Sequence, residues 1–307
     1  MRVVFMGTPA FALPSLRALV GAHRVVHVYT QPDRPSGRGR DAVAPPVKQE
    51  ARALGLPVRQ PLALRDPEEH AFLRSLDPDV VCVAAYGLIL PPQVLEIPHH
   101  GCVNVHASLL PRYRGAAPVH RTILEGDEIS GVSIMLMEEG LDTGPYALQV
   151  SVPLNDLNVD SATALLADAG AGALLEVLGQ IEDGSVRWTP QDEGAATYAE
   201  KITKSDVELL PELTVEQALR RVRASSRSAS SRACVDGTIL TVLRASQAGS
   251  GPEPGEVVTD RDTLVLGFSD GGLALEEVLP QGRACMDGAC FARGARLTSD
   301  SGWEPCP

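Results

Sequence analysis

Positive charge is scarce in this chain. Its 27 Lys and Arg face 39 Asp and Glu, a net charge of −12 at pH 7, which argues against broad electrostatic attraction to nucleic acid. Long apolar runs are missing too, since none approaches the roughly 20 residues needed to cross a bilayer. Met1 to Phe5 run directly into a strand pattern without the layout of a secretory leader, so a cytoplasmic location is expected. Cysteines are few and scattered: Cys82, Cys102, Cys234, Cys285, Cys290 and Cys306. Cys82 and Cys102 sit in apolar strands as small hydrophobes. Cys285 and Cys290 lack the second pair or nearby histidine that would complete a zinc set. Neither a structural metal nor a disulfide is expected. The G-x-G-x-x-G fingerprint is absent, with Gly7 alone at the first turn, which disfavours a dinucleotide site. There is no internal repeat.

What is present is an ordinary globular composition, 44% hydrophobic and 21% charged. At 307 residues the chain is long for a single core, and two domains are expected. Arg2 to Met6 reads as a strand, with Thr8 as N-cap and Pro9 as first residue of a helix whose apolar face runs to Val20. Arg24 to Thr30 is the next strand, so the fold opens as strand–helix–strand and the class is α/β with a mostly parallel sheet. Helices follow at Val47 to Leu54 and Asp66 to Leu76, a short strand at Pro57 to Arg59, and a central strand at Asp79 to Ala84. Strands at Gly131 to Met137 and Tyr146 to Val152 precede a long amphipathic helix, Ser161 to Ile181. Thr189 to Ser205 reads as a linker, Thr214 to Arg223 as a helix capped by Thr214, and Ala224 to Arg232 as an exposed Ser/Arg-rich connection. Short strands after it, near 233–235, 239–243, 255–258, 264–267 and 273–278, suggest a small β-barrel. The expected boundary falls at 204, giving domains 1–204 and 205–307.

The most informative stretch is 101–118. In Val103 to Ala107 apolar residues alternate with Asn104 and His106, a strand period that puts those two on one face about 7 Å apart. Pro111 and Gly115 close a loop after it, and Pro118 opens a helix. The end of a strand in an α/β fold is a common place for chemistry. Asp142 sits between Gly140 and Gly144 in a turn that bulky residues would resist. Taken alone, a satisfied strand histidine and an Asx-turn aspartate describe His106 and Asp142 equally well. The loop Gln31 to Pro46, with Arg34, Arg38 and Arg40, is irregular by its prolines and glycines, and such loops are often functional. A second basic cluster comprises Arg220, Arg221, Arg223, Arg227 and Arg232. Both clusters read either as basic contacts on an acidic body or as solvated surface.

Together these residues resemble the folate-dependent formyltransferases. The likeness is carried by Phe5-Met6-Gly7-Thr8-Pro9, the Gln31–Arg40 loop, Ala85-Tyr86-Gly87, Asn104 through Pro111, Arg114-Gly115-Ala116-Ala117-Pro118, Gly140 through Gly144, and Ala196-Thr197-Tyr198-Ala199; Phe291-Ala292-Arg293-Gly294 is a weaker echo. The Gln31 loop and the Arg-Gly-Ala-Ala-Pro segment resemble more narrowly the branch whose acceptor is methionyl-tRNA. The resemblance implies a Rossmann-like catalytic domain followed by an oligonucleotide-binding-fold domain. It implies 10-formyltetrahydrofolate as donor, no metal, no membrane or obligate protein partner, and the α-amine of initiator methionyl-tRNA as acceptor, in support of translation initiation. By the same resemblance Asn104, His106 and Asp142 are the catalytic trio. Ser108, Leu109, Leu110 and Pro111, with Tyr86 and Gly87, would contact the folate, and Arg34, Arg38 and Arg40 the tRNA.

Amine attack on an N-formyl carbon makes an oxyanion and an ammonium, so the site must supply hydrogen-bond donors and manage protons. Asn104 has an amide N–H suited to the oxyanion, His106 can donate or shuttle a proton, and Asp142 can orient His106 or take a proton through water. The chain departs from the family pattern at Val207-Glu208-Leu209-Leu210, at Ala224 to Ser230, at His120 and at Asp41. From Thr238 onward it has five Arg, no Lys and ten Asp or Glu, acidic for a module that contacts RNA. Two other activities would use the same donor side: transfer to a different amine, such as an amino sugar or a biosynthetic intermediate, and hydrolysis of the donor to formate.

Overall fold

The computed structural model describes residues 1–35, 42–259, 262–298 and 300–306. Two units are present: Met1–Pro118, Ile129–Pro153 and Thr163–Ala199 make the first, and Val119–Glu128, Leu154–Ala162 and Glu200–Pro307 the second. In chain order the described elements begin β1 (Arg2–Gly7), α1 (Leu13–Ala22), β2 (Arg24–Tyr29), β3 (Arg34–Pro35), β4 (Ala42–Val43), α2 (Pro46–Ala53), β5 (Val58–Arg59) and α3 (Pro67–Ser75). They continue with β6 (Val80–Ala84), α4 (Pro92–Leu95), β7 (Cys102–His106), β8 (Arg114–Gly115), α5 (Pro118–Glu125), β9 (Ile129–Leu136), β10 (Tyr146–Pro153), α6 (Val159–Glu182) and β11 (Tyr198–Ala199).

Seven strands form the main sheet of the first unit, in the order β10-β9-β7-β6-β1-β2-β5. The five from β7 to β5 run parallel, and β9 and β10 are antiparallel additions at one edge. This is the α/β class with the mostly parallel sheet expected. The parallel strands β6 and β7 are buried along their whole length, as strands covered on both faces must be. Gly170 of α6 shows how one face is covered: a Cβ there would lie 2.6 Å from Val105 Cγ1, so only glycine lets the helix approach the strand this closely. Val105 therefore faces α6, and by strand alternation Asn104 and His106 face the other side.

Local readings were altered where tertiary contacts outcompeted them. Thr8 does not cap a helix; its hydroxyl donates to Tyr86 O at 2.8 Å, tying the ends of β1 and β6 together, and a short 3₁₀ turn, Ala10–Ala12, precedes α1. Helix α6 has 24 residues and is long and apolar enough to cross a membrane, contrary to the sequence expectation. It is half buried inside the protein, with Leu166, Leu174, Val177 and Leu178 inaccessible to solvent, the pattern of a core helix. The supposed linker is also structured. Thr189 bridges Tyr146, and β11 pairs in parallel with β8.

In the second unit, α7 (Val215–Arg223) starts on a full capping box, with Thr214 accepting from Gln217 N and the Gln217 side chain accepting from Thr214 N. Beyond it β12 (Arg232–Val235), β13 (Thr238–Gln247), β14 (Val257–Thr259), β15 (Leu264–Phe268), β16 (Gly271–Pro280), β17 (Met286–Asp287), α8 (Gly288–Ala295) and β18 (Trp303–Glu304) follow. The sheet order β14-β15-β16-β13-β12-β18 is antiparallel throughout. Its two ends meet through a Glu256–Gly302 bridge and the Trp303 N–H donating to Gly255 O at 2.8 Å, so the sheet is a nearly closed barrel. Leu240, Val242, Leu264, Leu266, Leu273 and Phe268 fill it.

Segment 224–232 is not the exposed connection expected. Ala224, Ala229 and Ser231 are buried, and Ser231 Oγ donates to Val207 O at 2.8 Å, so its serines replace regular backbone pairing with side-chain bonds. Part of the second arginine cluster is engaged within the protein. Arg221 donates to Glu208 O, and Arg223 donates to Asp156 Oδ1 at 2.9 Å and Asn155 O at 3.0 Å.

Candidate functional site

Strand β7 ends at His106, at the carboxyl edge of the parallel strands where α/β folds place ligands. The His106 ring is 5% exposed. Its Nε2 lies 3.0 Å from Tyr113 O, and since a carbonyl only accepts, Nε2 carries the proton of that bond. Its Nδ1 lies 3.7 Å from Asp142 Oδ2. Both neighbours are acceptors, so both ring nitrogens meet a suitable partner only when each holds a proton. A 3.7 Å separation is ion-pair distance but too long for a settled hydrogen bond, which leaves Nδ1 the looser nitrogen.

The same Asp142 oxygen accepts from Gly115 N at 2.9 Å. Gly115 has φ +116 and its α-carbon faces Ala199 O, which a Cβ would approach to 2.9 Å; a side chain there would displace the amide from Asp142. Asp142 itself has φ +53, in the left-handed region that Asp tolerates better than most residues. Asn104 is 8% exposed, and its amide has no hydrogen-bond partner among the described residues. A nearly buried amide beside a histidine, free to donate, is the group an oxyanion requires. The structure thus brings Asp142 against His106, with Asn104 two residues earlier on the same face of β7.

The turn after β7 is clamped from β9 and β10 by residues that sequence reasoning missed. Ser133 Oγ donates to Ser108 O at 2.7 Å and accepts from Leu110 N at 3.0 Å, and Gln149 Nε2 donates to Leu110 O at 2.7 Å and to Ser133 Oγ at 2.9 Å. Ser108 is fully buried and its hydroxyl donates to Arg112 O at 2.6 Å. Ser108 and Leu110 thereby shape the turn, while Leu109 and Pro111 keep partly exposed faces. A polar residue inside apolar β9 was a visible signal for Ser133. Its pairing opposite His106 was not, because register is set by the assembled sheet.

The ring of Tyr86 lies in the core with Leu64, Leu73, Leu90 and Val94, and burial pushes its hydroxyl pKa up. Of the Tyr86–Gly87 pair, Gly87 is exposed; its carbonyl accepts from Gln31 Nε2 at 2.8 Å. Arg34 is exposed and donates to the Gln31 side chain. The adjoining Asp33 pairs with the buried Lys48 at 2.6 Å and accepts from Gln60, which holds its carboxyl below the usual range. Arg38 and Arg40, like Asp41, lie outside the described residues.

Loop 111–117 is held in turn by the stretch before and through β11. Tyr113 N donates to Thr197 Oγ1 at 2.8 Å, Arg114 N to Thr197 O at 2.8 Å, and Ala116 N to Ala199 O at 2.9 Å. Among the described residues no group of three or more His, Cys, Asp or Glu is placed to hold a metal ion.

The formyl transferase family profile matches residues 1–178, and the profile of the formyl transferase C-terminal domain matches 201–296. The chain is 47% identical to a methionyl-tRNA formyltransferase of Acidiphilium cryptum over 298 residues, 96% of this chain and 97% of that one. Among solved structures, HypX from Aquifex aeolicus in complex with tetrahydrofolic acid superposes with a TM-score of 0.64 at 19% identity, covering 95% of this chain and 47% of that one. The sugar 3N-formyl transferase WlaRD superposes with a TM-score of 0.65 at 13% identity, covering 92% and 99%. At those identities the two structures show the shared fold alone. With a profile spanning more than half its length and a relative 47% identical across nearly all of it, the chain belongs to the formyl transferase family.

Proposed function

We propose that this protein transfers the formyl group of 10-formyltetrahydrofolate to the α-amine of initiator methionyl-tRNA in the cytoplasm. The observation that carries the reading is the unpartnered, nearly buried Asn104 amide beside the His106–Asp142 pair. It stands in a chain 47% identical over nearly its full length to a methionyl-tRNA formyltransferase. The site fits a folate formyl donor: one N–H is unused where an oxyanion would form, Leu109 and Pro111 are partly exposed in the turn after His106, and Gly87 is exposed past the end of β6, the strand paired with β7. Tetrahydrofolic acid is bound in the HypX structure of the same fold.

When bound, the donor supplies an activated formyl carbon; everything else falls to the protein. Asn104 gives an amide N–H to the developing oxyanion, a contact stronger in the transition state than in the ground state. His106, steadied at Nε2 by Tyr113 O, gives a proton from Nδ1 to the folate nitrogen as it leaves. Asp142 stabilises the protonated ring and takes a proton from the incoming amine through water. Leu109 and Pro111 hold the donor by apolar contact, because the polar groups of Ser108 and Leu110 already shape the turn. The basic residues Arg34, Arg38 and Arg40 approach the RNA.

Purified protein is expected to formylate charged initiator methionyl-tRNA from 10-formyltetrahydrofolate. Turnover on a small amine with none on the tRNA would overturn the acceptor, and formate release without acceptor would make the protein a hydrolase.

A further inference from the structure

Gln191 stands in the irregular stretch between the Thr189 bridge and β11, and its side chain is saturated. The amide nitrogen donates to two backbone carbonyls, Asp142 O and Gly144 O, both at 2.7 Å. The amide oxygen accepts from Arg114 Nε at 3.0 Å and Nη2 at 2.9 Å. Arg114 is fully buried, and Glu193 accepts from its Nη2 at 2.7 Å and its Nη1 at 2.9 Å. A rigid guanidinium therefore fixes the amide, and the amide grips the turn of residues 142–144 at both ends.

That turn does not hold itself. The left-handed conformation of Asp142, φ +53, is one that aspartate tolerates but does not prefer, so neighbouring conformations compete unless the surroundings decide. Only a carboxamide offers two donors and an acceptor at this reach.

We infer that Gln191, braced by the buried Arg114, is a positioning residue for formyl transfer. It holds the Asp142–Gly144 turn in the conformation that sets the Asp142 carboxylate against Gly115 N–H and His106. The inference rests on the reading of Asp142 as catalytic. Gln191 acts through the turn and binds neither substrate.

The test compares Gln191→Ala, Gln191→Glu, Asp142→Asn and the double variant Gln191→Ala/Asp142→Asn in steady-state formyl transfer. Gln191→Ala is expected to lower kcat about 10- to 100-fold, the scale of a misplaced catalytic group. Both KM values should stay within about twofold, because the loss is confined to the transition state. Gln191→Glu keeps an acceptor for Arg114 but turns a carboxylate oxygen on the two carbonyls, and should be impaired as well. The double variant should be little worse than Asp142→Asn alone, since a residue acting only through Asp142 has nothing left to position. Recovery of activity in Gln191→Glu would reduce Gln191 to a structural partner of Arg114, and a double variant showing the product of the single losses would place its action elsewhere; either overturns the inference. Asp142→Asn with undiminished activity would instead remove the reading of the site, and this inference with it. If Gln191→Ala does not fold, Gln191→Met, similar in length and without the amide, carries the same comparison.

Discussion

At the residue scale the site is a small set of donors and acceptors whose count does not balance without a substrate. His106 meets two acceptors, Asn104 has an unused N–H, and Asp142 Oδ2 is shared between Gly115 N–H and the imidazole. Removing any one should therefore be felt in the transition state rather than in binding. His106→Ala and Asp142→Asn are each expected to lower kcat by about 100-fold or more, the range of positioned acid–base groups. Asn104→Ala should cost about 10²–10³-fold, as for a lost oxyanion donor. Folate affinity measured by fluorescence titration should change little in all three. Spacing drew attention to these residues, Asn104 and His106 alternating with valines and Asp142 bracketed by glycines, but only the resemblance to the formyltransferases gave them a chemical role. Gln191 and Gln149 gave no such sign, because a glutamine in an irregular stretch or on a half-exposed strand is usually just an exposed polar residue.

At the scale of elements, the sheet is built so that a helix covers one face of β7 and leaves the other to chemistry. Two glycines of α6 test this. Alanine in a helix is favoured over glycine by roughly 0.5–1 kcal/mol, so Gly172→Ala, where a Cβ meets nothing within 4 Å, should stabilise by about that amount. At Gly170 the new Cβ would lie 2.6 Å from Val105, and overpacking of a core contact costs about 1–3 kcal/mol. The clash wins, so Gly170→Ala should be net destabilising and lower kcat by shifting β7. Urea denaturation of the pair, read beside activity, checks both signs. Helices and strands of regular period were legible to within a few residues. The missed strands, β3 and β4 inside the loop read as irregular and β8, β11, β17 and β18, are each two residues long and exist only because a neighbouring segment offers their backbone a partner. The short helices α4 and α8 were missed as well, α8 starting on the Asp287 side chain.

At the scale of the whole molecule, charge rather than shape gives the clearest test. Burial alone would raise the Asp206 carboxyl, yet hydrogen bonds from Thr203 and the Arg121 guanidinium at 2.7 Å outweigh it and bring the pKa down to about 2. A carboxylate whose folded pKa lies below its unfolded value stabilises above the unfolded pKa and loses that contribution as pH falls through the folded one. Asp206→Asn is thus expected to cost about 2 kcal/mol at pH 7. The gap to the unaltered protein should close between about pH 4 and pH 2, followed by urea unfolding at each pH. A gap constant with pH would mean the loss is packing and not charge. In the sequence Asp206 stands just before Val207 to Leu210, where the family pattern fails, and nothing in its neighbours announced a partner 85 residues away in Arg121.

By itself the sequence determined what depends on near neighbours: the α/β class, the barrel-like end, the strand bearing Asn104 and His106, the capped helix at Thr214, and a likeness to formyl transferases dense enough to name the trio. Tertiary structure alone decided what depends on meeting a distant segment. It turned Thr8 from a cap into a tie to Tyr86 and buried an apolar 24-residue helix in a core. It also made a supposed linker the source of Thr197, Gln191 and Glu193 around Arg114. The physical reason is the same each time. A backbone or side-chain polar group takes the best partner the folded chain offers, and periodicity cannot say which one will arrive.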